Sequence, residues 1–259
     1  ITTKMTQRVV INSFDRDYAA YPSSTLFRIY LNAVKENVTK IRLGDAIIRN
    51  SQYNFDSYTI GGRTLTNNIL YFRENLVLIA TAIPPGNYPI TTLLATLSSV
   101  MTAASTVGNV YTATLNALSG KIEFAATVTP WGFDFDPTTV GTQDSAYYQI
   151  GCNEETTPIT NLQQTLPRPV DLSGSPYVMI KIGNLQSSVF NTSNDSAAFL
   201  VPFNTQSENV VYYEPPNSSH TAYSITTPGL TYLDIALVGD YANPINLQNS
   251  EWCFSIILE

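Results

Sequence analysis

The sequence predicts an all-β protein, a sandwich of two antiparallel sheets interrupted by a small insertion of one helix and one hairpin. Two patterns carry the sandwich: short runs in which apolar and polar residues alternate, and breaks between them rich in Gly, Pro, Asn and Asp. A third pattern, a single stretch with helical spacing, marks the insertion. At 259 residues the chain is close to the length, about 250, at which chains begin to divide. All-β folds often reach that length as one unit, so the reading is a single domain over 1–259 with 83–151 as an inserted segment.

The first clear strand lies at 26–31, where Phe27, Ile29 and Leu31 share one face and Arg28 and Tyr30 the other. Similar runs occupy 39–48, 69–72, 76–80, 177–182, 198–203, 210–213, 233–238 and 252–258. Gly61-Gly62, Pro215-Pro216-Asn217 and Gly239-Asp240 supply turns between them. After Pro84-Pro85-Gly86-Asn87-Tyr88, apolar residues recur at Ile90, Leu93, Leu94, Leu97, Val100, Met101 and Ala104, the spacing of a helix. Pro89 suits its first turn, where a missing N–H has no intrahelical partner to lose. Two alternating runs follow at 109–115 and 121–126, joined through residues 116–120 as a hairpin with about five loop residues.

Composition narrows the function. Charged residues make up 13% of the chain, about half of the roughly 25% usual for soluble domains. Uncharged polar side chains can cover such a surface, and extensive subunit contacts suit it equally, because interface cores are depleted in charge. The net charge of −7 and the lack of any basic run argue against a direct grip on DNA or RNA. No apolar stretch approaches the ~20 residues of a membrane span. The chain starts at Ile1 with no apolar signal segment, which leaves room for a trimmed N-terminal piece. Cys152 and Cys253 are too few for a disulfide framework and read as small buried side chains.

A search for chemistry nominates no catalytic, cofactor-binding or metal-ligating residue. His220, the single histidine, lies in a polar turn-like segment, and no Gly-x-Ser-x-Gly elbow accompanies it. There is no Gly-rich phosphate loop and no His-rich metal motif. Asp15-Arg16-Asp17 and Asp134-Phe135-Asp136 each place two carboxylates on one strand face, an arrangement open to calcium or to glycosidase work. The plainer reading of the second is a strand with Trp131, Phe133 and Phe135 on a buried face and the acids on a solvated one. The Asn-x-Ser/Thr sequons at Asn37, Asn191, Asn194 and Asn217 are explained by chance in a chain this rich in Asn, Ser and Thr.

Several short motifs together resemble one family. Ile11-Asn12-Ser13-Phe14-Asp15-Arg16-Asp17, then Tyr21-Pro22, 27–31 and Asn37-Val38-Thr39-Lys40-Ile41-Arg42-Leu43 resemble the start of penton and minor capsid proteins of virophages, polinton-like viruses and large DNA viruses. In those proteins a Ser-x-Asp-Arg segment precedes Tyr-Pro, a first strand and an Asn-Val strand. Pro84-Pro85-Gly86-Asn87-Tyr88 is similar to the family's helix start, Gly120-Lys121-Ile122 to its hairpin return, and Tyr148-Gln149-Ile150-Gly151 to a segment ending in Leu-Gly. Val170-Asp171-Leu172-Ser173-Gly174 and the closing run at 252–258 extend the likeness over most of the chain. It departs at Ile47-Ile48-Arg49-Asn50, where the family often has Ile-Pro, and at Thr91-Thr92-Leu93-Leu94, which replaces a Thr-x-x-Glu.

The resemblance implies a single jelly-roll β-sandwich of eight strands and a non-enzymatic role in the virion, in a capsid shell assembled inside the infected host cell. The partners it implies are copies of the chain itself, as a homopentamer at icosahedral vertices, and the major capsid protein of the same shell. It implies no cofactor, no direct nucleic acid contact and no membrane span. An internal minor capsid (cement) protein is the alternative within the family. Outside it stand a lectin-like receptor-binding sandwich, which needs Trp131 or Tyr212 exposed, and a hydrolase, which needs Asp134 and Asp136 to meet a distant acid in a cleft.

Overall fold

The computed structural model describes residues 6–141, 144–183, 185, 198–203, 208–216, 223–224, 229–239 and 243–259. The chain divides into two compact units, Ile1–Gln52 with Ser175–Glu259, and Tyr53–Gly174. Strands β1 (Gln7–Asn12), β2 (Leu26–Glu36) and β3 (Lys40–Arg49) open the first unit. The second unit holds β4 (Ser57–Ile60), β5 (Arg63–Thr66), β6 (Ile69–Glu74), β7 (Val77–Ala82), α1 (Ile90–Ala104), β8 (Tyr111–Leu115), β9 (Ile122–Ala126), β10 (Trp131–Phe133), α2 (Pro137–Val140), α3 (Tyr147–Ile150) and β11 (Gln163–Thr165). The chain returns to the first unit through β12 (Tyr177–Ile182), β13 (Ala198–Pro202), β14 (Val210–Tyr213), β15 (Tyr223–Ser224), β16 (Gly229–Val238) and β17 (Cys253–Leu258).

Apart from the two-residue β15, which pairs β3, the first unit pairs as one long antiparallel hairpin: β1 with β17, β2 with β16, β3 with β14 and β12 with β13. Two further pairings, β17 with β3 and β12 with β16, roll that hairpin up. The result is two facing sheets in the orders β1-β17-β3-β14 and β13-β12-β16-β2. That order is a jelly roll, in which successive arms of the hairpin fall in different sheets. Phe27, Ile41, Leu43, Ile180, Leu233 and Phe254 are among the side chains that fill the space between the sheets.

One residue in β3 decides the register. Ser255 faces Asp45 while the next residue, Ile256, faces Leu43, so Gly44 is the extra residue of a β-bulge. The bulge resets the alternation, and Ile41 and Leu43 before it, Ala46 and Ile48 after it, all turn inward. A Cβ on Gly44 would stand 2.4 Å from Ser255 Oγ, so any side chain there must displace that hydroxyl.

In the second unit, β6 and β7 pair with β10, β8 and β9 pair with β11, and β4 and β5 form a separate hairpin. The β4–β5 turn uses Gly61 and Gly62 at φ +60° and +76°, as a two-residue hairpin loop requires. Helix α1 forms where the spacing predicts it and buries Leu93, Leu97 and Met101, with Pro89 one residue earlier than expected, at the N-cap. The inserted segment expected at 83–151 lies within this unit, which also takes in β4 to β7 and the stretch through Gly174. Leu70 and Phe72 of β6 and Ile79 of β7 share a core with α1, Tyr111 and Phe124. Alternation identified those strands and their buried faces, but it does not say against which partner a face is buried.

Candidate functional site

The two acidic motifs are built differently from the expectation. Residues Ser13–Asp15 form a 3-10 turn rather than a strand, and Asp17 accepts from the amides of Ala19 and Ala20. The group that matters in this motif is Arg16, whose side chain is 2% exposed. Its Nε donates to the Tyr21 carbonyl at 2.9 Å, and Nη1 donates to the Ser13 carbonyl at 2.7 Å and to both carboxylate oxygens of Glu251 at 2.8 and 2.6 Å. Ser13 Oγ donates to the same carboxylate at 2.5 Å and accepts from the Trp252 amide at 2.9 Å. Ser-x-Asp-Arg followed by Tyr-Pro is therefore a clasp that fixes the β1–β2 connection to the start of β17. Burial pushes the Glu251 carboxyl up, but the hydrogen bonds from Arg16 and Ser13 and the Arg16 charge outweigh it and hold the group below its ordinary value.

Trp131, Phe133 and Phe135 are buried as the alternation predicts, with Trp131 edge-on to Tyr111 and to Phe133, each at 5.0 Å between ring centres. Asp134, expected on a solvated face, is fully buried. Residues around Thr156 cover that side of the strand: Asp134 bridges to Thr156, whose Oγ1 donates at 2.7 Å, and Arg73 Nε donates from the other side at 2.5 Å. Asp136 caps α2 by accepting from the Thr138 amide at 2.9 Å and hydroxyl at 2.7 Å, bonds that hold its carboxyl below the ordinary aspartate value. Both acids serve local structure, Asp134 inside the unit and Asp136 at the start of α2. Trp131, buried with its Nε1–H donated to the Leu162 carbonyl, has no face to offer a sugar, whereas Tyr212 on β14 is exposed. Among the described residues no three His, Cys, Asp or Glu side chains gather closely enough to hold a metal ion. None of the described helices is long and apolar enough to cross a membrane.

Cys152 is buried, which pushes its thiol well up, and Cys253 is half-buried. Asn37 stands exposed in the β2–β3 turn at φ +57°. His220, Asn191, Asn194 and Asn217 lie outside the described residues.

A further cluster was not singled out from the sequence. Glu74, at the end of β6, is fully buried, yet its carboxylate accepts from Ser105 Oγ at 2.7 Å, the Thr106 amide at 2.8 Å, Asn109 Nδ2 at 3.0 Å and Tyr111 OH at 2.8 Å. Burial pushes this carboxyl up, and the four partners together hold it below its ordinary value. Asn109 continues the network, its Oδ1 accepting from the amides of Val128 and Thr129 and its Nδ2 donating to the Thr129 carbonyl. Glu74 thus holds the 105–110 turn directly and, through Asn109, the turn at 127–129. The sequence signal was its phase, since Glu74 stands two and four residues after the buried Phe72 and Leu70.

Around these turns the surface is apolar. Leu76 is 76%, Val77 53%, Val110 52% and Val128 61% exposed. In the first unit, Val10, Ile47, Val210 and Tyr212 are exposed on the outer face of the β1-β17-β3-β14 sheet.

A model of a family of unknown function, DUF5901, matches residues 2–237. No curated protein matches the sequence. Among solved structures, the crystal structure of the mavirus penton protein is similar over 98% of this chain and 98% of its own, at 9% identity and a TM-score of 0.50. A chain of the cryo-EM structure of the Sputnik virophage aligns over 99% of this chain and 98% of its own, at 11% identity and a TM-score of 0.37.

Proposed function

We propose that this chain, which belongs to the DUF5901 family of unknown function, is a structural subunit of a viral capsid and not an enzyme. The observation that carries the reading is the jelly-roll strand order, completed by a second unit inserted between β3 and β12, in a chain that overlaps the mavirus penton protein end to end. A jelly roll packs its two sheets face to face and leaves loop ends and outer faces for contacts around a symmetry axis. The low charge and the exposed Val10, Ile47, Val210 and Tyr212 suit such contacts.

The finer reading is a penton: five copies around each icosahedral vertex of the virion, flanked by the major capsid protein, with assembly inside the infected host cell. In that reading the whole chain is one jelly-roll subunit, and residues 83–151 belong to its inserted segment. Native mass spectrometry of the purified chain, with negative-stain images of the same sample, tests it. Five-fold rings of five chains are the expected result. A stable dimer with no five-fold image, together with absence of the chain from purified particles, overturns both levels of the reading.

A further inference from the structure

We draw no further inference here: the strongest candidate, the apolar stripe of Val10, Ile47, Val210 and Tyr212 across the outer face of the β1-β17-β3-β14 sheet, is an exposed sheet face, and nothing in the structure shows what covers it.

Discussion

Arg16 and Glu251, 235 positions apart in sequence, form a two-point ion pair in which one guanidinium nitrogen donates to both carboxylate oxygens at 2.8 and 2.6 Å. The arginine side chain is almost wholly buried and the carboxylate side chain 30% exposed, so the pair is shielded on one side and wet on the other. Arg16→Ala takes the guanidinium donor from the Ser13 and Tyr21 carbonyls and from both Glu251 oxygens, leaving that carboxylate with Ser13 Oγ and Tyr18 OH. The expected cost is about 3 kcal/mol, the usual scale for removing one member of a buried pair. Arg16→Lys recovers only part of it, because an ammonium lacks the planar fork that reaches all these acceptors. Urea unfolding of both variants checks the order parent, Lys, Ala.

Acid should weaken the fold through the same carboxylates. Glu251 and Glu74 both titrate below their ordinary value of 4.5 in the folded chain. A depressed folded value means that the unfolded state takes up protons first on acidification. The stability from these two groups is present above 4.5 and is lost as pH falls through their lower folded values. Thermal midpoints measured from neutral pH down to about 3 should fall most steeply in the lowest part of that range, and Glu251→Gln, already less stable at neutrality, should show a shallower fall. Equal slopes in parent and variant would exclude Glu251 as a contributor.

Glu74 makes a sharper case, because its carboxylate is fully buried and four residues donate to it. Glu74→Ala strands those donors in the interior and should cost about 3–5 kcal/mol. Glu74→Gln keeps one acceptor oxygen but turns the other position into a donor that faces donors, so an intermediate loss is expected. Hydrogen exchange locates the effect: the Thr106, Val128 and Thr129 amides, held directly or through Asn109, should lose protection in both variants. Protection unchanged at these three amides would remove Glu74 from its organising role.

How far the sequence reveals this protein depends on the range of the interactions involved. The runs around Phe27, Ile180 and Leu233, the helix from Ile90 and the β8–β9 hairpin all follow from side-chain periodicity, and the structure has them. Strand β1 escaped because its apolar residues sit beside exposed Val10 and Arg8, which blur the alternation of an edge strand. The jelly-roll order itself came from resemblance, since pairings such as β1 with β17 join opposite ends of the chain. The Arg16 clasp was hidden for the same reason: the motif showed its acids, while the partner, Glu251, lies near the other end. Asp134 misled because alternation identifies two faces and says nothing about a later segment, here Thr156, folding over the second.

The turn between β6 and β7 offers the last prediction. Asn75 and Leu76 are its two central residues, at φ +47° and +67°, the left-handed region that a two-residue hairpin loop of this kind demands. Asparagine accepts that conformation readily, but a leucine pays a steric penalty of about 1–2 kcal/mol. The sequence run at 76–80 was expected to begin a strand at Leu76, and the structure instead starts β7 at Val77, leaving Leu76 strained and 76% exposed. Leu76→Gly relieves the strain and loses almost no buried contact, although glycine gives back part of the gain through its freer unfolded chain. A net stabilisation of about 0.5–1 kcal/mol is expected in urea unfolding. A loss of stability would mean that Leu76 packs against its own chain.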